Sequence, residues 1–168
     1  MKIPGLGILT EPDDLGWRYS DPIKMGALGG KKCCFVLEGY DDDPKKEDFH
    51  AAIANFLAAD ESVLKAAEPR IFRYYEDCNA HWEPDDDEHI VIAQPGDVWG
   101  HIRLGDEPMV TRRAYGDRLV YISLECGCDW EPEHGLQIVF KCGLWVNKVG
   151  SYNGHLTNSD AYGGGNDS

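Results

Sequence analysis

The feature that most constrains this chain is a change of period. From Phe49 the apolar residues Ile53, Phe56 and Leu57 follow at i+4, i+7 and i+8, the stripe of a helix, whereas beyond Val98 they alternate in runs of five to seven. Helices and then strands, in blocks, predict a segregated α+β domain and not the alternating order of a parallel doubly wound sheet.

The strand block reads as five segments, 98–104, 109–113, 118–124, 136–140 and 144–149. Connections as short as Gly105-Asp106 and Lys141-Cys142-Gly143 leave no room for a crossover, so the segments are expected to pair as an antiparallel meander. Two or three further strands are expected before residue 40, where Ile3 to Leu9, Gly16 to Tyr19 and Lys32 to Leu37 are separated by turn signals such as Gly29-Gly30. The run Cys33 to Leu37 is continuously apolar and reads as one central strand. Residues 44–82 supply two or three helices, the first with Asp43 as N-cap and Pro44 at its first position, the second from Asp60, the third carrying Ile71, Tyr75, Cys78 and Trp82 on one stripe. Residues 1–160 are thus expected to form one domain, with the acidic stretch 83–88 as a solvated loop and 161–168 as a flexible, Gly-rich tail.

Composition narrows function by exclusion. Sixteen basic against thirty acidic residues give a formal charge of −14, which repels nucleic acid and anionic membrane and favours a basic protein partner. No apolar run approaches the roughly 20 residues that span a bilayer, and the start lacks a signal-peptide pattern, so a cytoplasmic protein with six free thiols is expected. Oligomeric state is left open.

The densest chemistry lies between Glu125 and Leu136, where Cys126, Cys128, Asp129, Trp130, Glu131, Glu133 and His134 crowd together. Three readings apply. As a contact surface, Asp129, Trp130, Glu131, Glu133 and His134, with the Asp41 to Asp43 loop, would dock a basic protein. As a metal site, Cys126, Cys128, His134 and Cys142 offer four soft ligands for zinc, although C-x-C-x5-H-x7-C is not a standard finger spacing. As plain structure, Trp130 plugs the end of the core, Pro132 fixes the chain and Glu133 to Gly135 turn it into the next strand. A nucleophilic Cys126 or Cys128 activated by His134 or His101 is disfavoured by the surrounding carboxylates, which would raise a thiol pKa. The catalytic expectation is none, and the cofactor expectation is none, with zinc as the alternative.

The segment CDWEPEHGLQIVFKCGLWVNKVG, residues 128–150, resembles an uncharacterised bacterial domain family built on a strand, a W-x-x-E-H-G-L turn and a returning strand. The stretch from Phe35 to Tyr75 is similar to the same family. The resemblance implies relatives and no activity. Small acidic bacterial domains of this kind also look like immunity proteins, which neutralise basic nuclease toxins by complementary charge. That likeness implies a non-enzymatic binding module.

Overall fold

The computed structural model describes residues 2–3, 6–80, 90–114, 116–152 and 156; Trp82, the 83–88 stretch and the 161–168 tail lie outside them. It is α+β, with a mixed, mostly antiparallel sheet. Its backbone is the meander of β8 (Met109–Arg112), β9 (Val120–Cys128), β10 (Leu136–Lys141) and β11 (Trp145–Gly150). Each neighbour pair is antiparallel, as their short connections require, with Ser123 opposite both Met109 and Val139.

On one face of the sheet, Ile122, Leu124, Cys126 and Cys128 of β9 join Leu136, Ile138 and Phe140 of β10 in the core. Against them lies α1 (Lys46–Ala58), whose Phe49, Ile53 and Phe56 are fully buried. Phe56 meets Phe140 edge to face, ring centroids 5.0 Å apart, so the helical and two-residue periods interlock at this contact. The short α2 (Ser62–Lys65) and then α3 (Glu68–Asn79), which buries Ile71 and Tyr75, complete the layer. The opposite face of the sheet holds a buried polar chain in which Lys148 Nζ donates to Gln137 and Gln137 donates to Ser123. Burial pushes the Lys148 ammonium down to about 8.

Four expectations change in the structure. The run Cys33 to Leu37 is two strands. β4 (Ile23–Met25) and β5 (Lys31–Cys33) form a hairpin around a 3-10 turn, Gly26–Leu28, while β6 (Val36–Leu37) belongs to the main sheet. The break is local: Cys34 N–H bonds the Asp106 carbonyl and Phe35 N–H bonds the Ser20 hydroxyl, so the two halves serve different neighbours. β6 lies between β3 (Arg18–Tyr19) and β8, next to the edge and not central, and its pairing with β8 is parallel. The helical layer intervenes between Leu37 and Met109, and a connection of that length permits the parallel sense.

Residues 95–101 form a 3-10 helix in place of the first expected strand, and only β7 (Ile102–Arg103) pairs, with the end of β9. Pro95 has no N–H for a ladder and its fixed φ suits a helical first turn. Finally, α1 starts at Lys46 with Lys45 at the cap position, because the Asp43 carboxylate is held by Arg112 and by the Lys45 N–H. The remaining short strands, β1 (Lys2–Ile3) and β2 (Gly7–Ile8), pair with each other. Among the described residues no helix is long and apolar enough to cross a membrane.

Candidate functional site

The 125–135 segment folds around Trp130. The indole is only 2% exposed and stands edge to face against Tyr74 and Tyr75, at 6.0 and 5.8 Å between centroids. Its N–H has no hydrogen-bond partner among the described residues, an uncommon condition for a buried tryptophan. Glu131 closes the turn by accepting the Gly135 N–H at 2.8 Å. Gly135 has φ +66°, and a Cβ there would overlap the Cys126 carbonyl oxygen, so the turn requires glycine. The plug-and-turn reading therefore describes the local structure, and Trp130 is withdrawn from any contact surface.

Asp129 is also occupied. Its carboxylate accepts from Arg103 Nη1 at 2.7 Å and lies 3.1 Å from His101 Nδ1; the Arg103 bond, more than any other contact, holds its pKa below the ordinary range. Glu131 is half-buried and Glu133 and His134 are exposed. One ligand atom from each of these three lies within 4.8 Å of the others, the geometry of a small metal-ligating group.

The thiols do not join that group as a quartet. Cys126 and Cys128 share the core face of β9, and burial pushes their pKa values to about 11 and about 12, far from thiolate at neutral pH. Cys142 sits at the other end of the hairpin, its N–H bonded to Val120 O while Cys126 pairs with Leu136. Six residues along β9 put Cys142 about 20 Å from Cys126. The zinc set is thus not brought together. All six cysteines are unbridged.

The Asp41 to Asp43 loop is likewise tied down internally. Asp41 pairs with Arg18 at 2.9 Å, and Asp43, nearly buried, pairs with Arg112 at 2.7 Å. Arg112 also reaches Asp48, and Lys141 reaches Asp117. Arginines thus pair with acids inside two of the clusters that look acidic in sequence, Arg18 and Arg112 at Asp41 and Asp43 and Arg103 at Asp129.

Carboxylates without an ion-pair partner also line a groove. An open groove of about 750 Å³ lies between α2, the 3-10 turn 26–28 and the 95–101 segment, with Leu28, Leu64, Trp99 and Leu104 as its apolar lining. Asp60, Glu61 and Glu68 line it against one ammonium, that of Lys65. Among the described residues none of the three acids has a basic partner within ion-pair distance. Glu68 accepts the Trp99 indole N–H at 2.6 Å, which fixes the ring in the wall. Ser62 donates to Asp60 from its N–H and hydroxyl, and these bonds hold the Asp60 carboxyl below its ordinary value. Across α2 a second hollow of about 510 Å³ shares Asp60 and Ser62 and is edged by the exposed Leu144 and Trp145.

None of these groove residues stands out in sequence. The one available signal is Trp99 itself, a large aromatic set in the polar, glycine-flanked stretch Pro95-Gly96-Asp97-Val98-Trp99-Gly100, where a core tryptophan is out of place.

Fold and site together define an α+β domain with buried thiols, internally paired acid loops and a carboxylate-lined groove. The chain belongs to the family described as Domain of unknown function (DUF6985), whose model matches residues 6–156. No curated protein and no solved structure matches it.

Proposed function

We propose that this domain is a non-enzymatic acidic binding module that docks a basic protein partner, immunity-like in neutralising that partner through charge. The observation that supports this is an acidic groove with apolar walls: among the described residues Asp60, Glu61 and Glu68, which line it beside Leu28, Leu64 and Trp99, have no ion-pair partner. Such carboxylates beside an apolar groove and a fixed tryptophan match the aromatic-centred, charge-complementary pattern of protein interfaces. The nucleophile reading finds no support in the site, since burial raises the Cys126 and Cys128 thiols to about 11 and about 12 and His101 Nδ1 lies against the Asp129 carboxylate.

The test is calorimetric titration of the full chain with a panel of strongly basic proteins, nucleases included, alongside a neutral control. Binding to a basic member that weakens about tenfold or more between low and high salt supports the proposal. Salt-insensitive binding, or none to any basic protein, rejects it.

A second reading, a metal-binding turn, is favoured by the convergence of Glu131, Glu133 and His134. It keeps His134 from the zinc set and replaces the thiols by carboxylates. Metal content of protein purified without added metal decides it: a stoichiometric ion lost on His134→Ala supports the site, and metal-free, chelator-indifferent protein removes it.

A further inference from the structure

We infer that the groove between α2 and the 95–101 segment receives an arginine side chain, with its flanking main chain, from a basic partner. The inference rests on the binding-module reading and assigns its contact point.

Three observations define the occupant. The groove, at about 750 Å³, is far larger than one side chain, so a short stretch of chain enters and not a lone functional group. Its lining from Leu28, Leu64 and Leu104 suits the methylenes of a long side chain, and its charge, three carboxylates against Lys65, demands a cationic tip. The Trp99 ring, held by Glu68, selects the kind of cation: a planar, weakly hydrated guanidinium stacks on an indole and pairs with carboxylates in a fork, which a compact, strongly hydrated ammonium does not. Gly29, φ +72°, also lines the groove and presents no side chain to Glu61, whose Oε1 lies 3.8 Å from where a Cβ would stand.

Other surfaces offer less. The free edge of β11 is already engaged, since Arg70 donates to the Val146 and Asn147 carbonyls.

The test uses the full chain with hexa-arginine and hexalysine as probes, followed by calorimetry and tryptophan fluorescence. Hexa-arginine is expected to bind several-fold more tightly than hexalysine. A Glu61→Gln, Glu68→Gln double variant, whose new amide oxygen at the second position still accepts the Trp99 N–H, is expected to weaken hexa-arginine binding about tenfold or more. A Glu47→Gln, Asp77→Asn double variant removes the same charge at the ends of α1 and α3 that point away from the groove and is expected to cost less than about twofold. Trp99→Phe is expected to narrow the preference for arginine over lysine. Equal losses in the two double variants would overturn the groove assignment and leave the binding-module proposal standing, because attraction would then be spread over the surface. Basic proteins that bind while hexa-arginine does not would likewise overturn only the groove. Failure of basic proteins and peptides alike would overturn both.

Discussion

The 125–135 segment and the Trp99 groove are opposites. The first concentrates thiols, carboxylates, an imidazole and an indole in a dozen residues of sequence, yet folding buries Trp130 and both thiols and gives Asp129 to Arg103. The second assembles Leu28, Asp60, Glu61, Glu68 and Trp99 from three separate stretches, and its acids have no basic partner among the described residues. Density of polar residues along a chain measures demand for partners as much as supply of function, and the two are told apart by which groups the fold has already satisfied.

If that contrast holds, damage should fall steeply from the satisfied region to the unsatisfied one. Trp130→Ala should be the most severe, lowering the unfolding free energy by about 3–5 kcal/mol in denaturant titration, because it empties the space between Tyr74, Tyr75 and the end of β9. A loss under about 1 kcal/mol would mean that the segment is less structural than the burial of its indole implies.

Next comes Arg112→Ala, expected to cost about 2–3 kcal/mol, since it strands the nearly buried Asp43 without its cation. This pair also carries a pH signature. The Arg112 hydrogen bond is the main cause of a lowered Asp43 pKa. The folded chain therefore holds that proton less readily than the unfolded chain. The pair's stabilisation is complete above the ordinary Asp value of about 3.9 and is lost as pH falls through the lower folded value. Equilibrium unfolding below about pH 4 should show a shallower decline in Arg112→Ala than in the parent chain. Identical slopes would show that Asp43 is not a contributor.

Arg103→Ala should cost under about 1 kcal/mol, because both members of its pair with Asp129 are solvent-accessible. Smallest of all, Glu61→Gln should change stability by no more than about 0.5 kcal/mol in either direction. A clear destabilisation there would reveal a hidden structural partner and dissolve the contrast between the two regions.

The same contrast explains what could be read from sequence. The stripe of α1 and the meander β8 to β11 rest on local periodicity and short turns, so Phe49, Ile53 and Phe56 fall on the buried face as their spacing requires. The Trp130 plug was legible for the same reason, with its turn residues adjacent. Asp43 reads locally as a helix cap because nothing near it shows that Arg112, distant in sequence, claims its carboxylate. Residues 98–104 alternate well enough for a strand, and only Pro95 just before them, which lacks an N–H and suits a helical first turn, hints that the chain enters them from a 3-10 helix. The groove was illegible because its walls meet only in three dimensions.

The parallel pairing of Val36 with Met109 has a consequence for how the molecule is made. Those partners are roughly seventy residues apart, so closing their ladder carries the entropic cost of a long loop, while β8 to β11 close through connections of three to seven residues. During synthesis the apolar Phe35 to Leu37 stretch leaves the ribosome well before the strand that will accept it. The N-terminal third must wait for the C-terminal half, and a chain stalled near residue 100 would present that stretch to chaperones as an unfinished sheet.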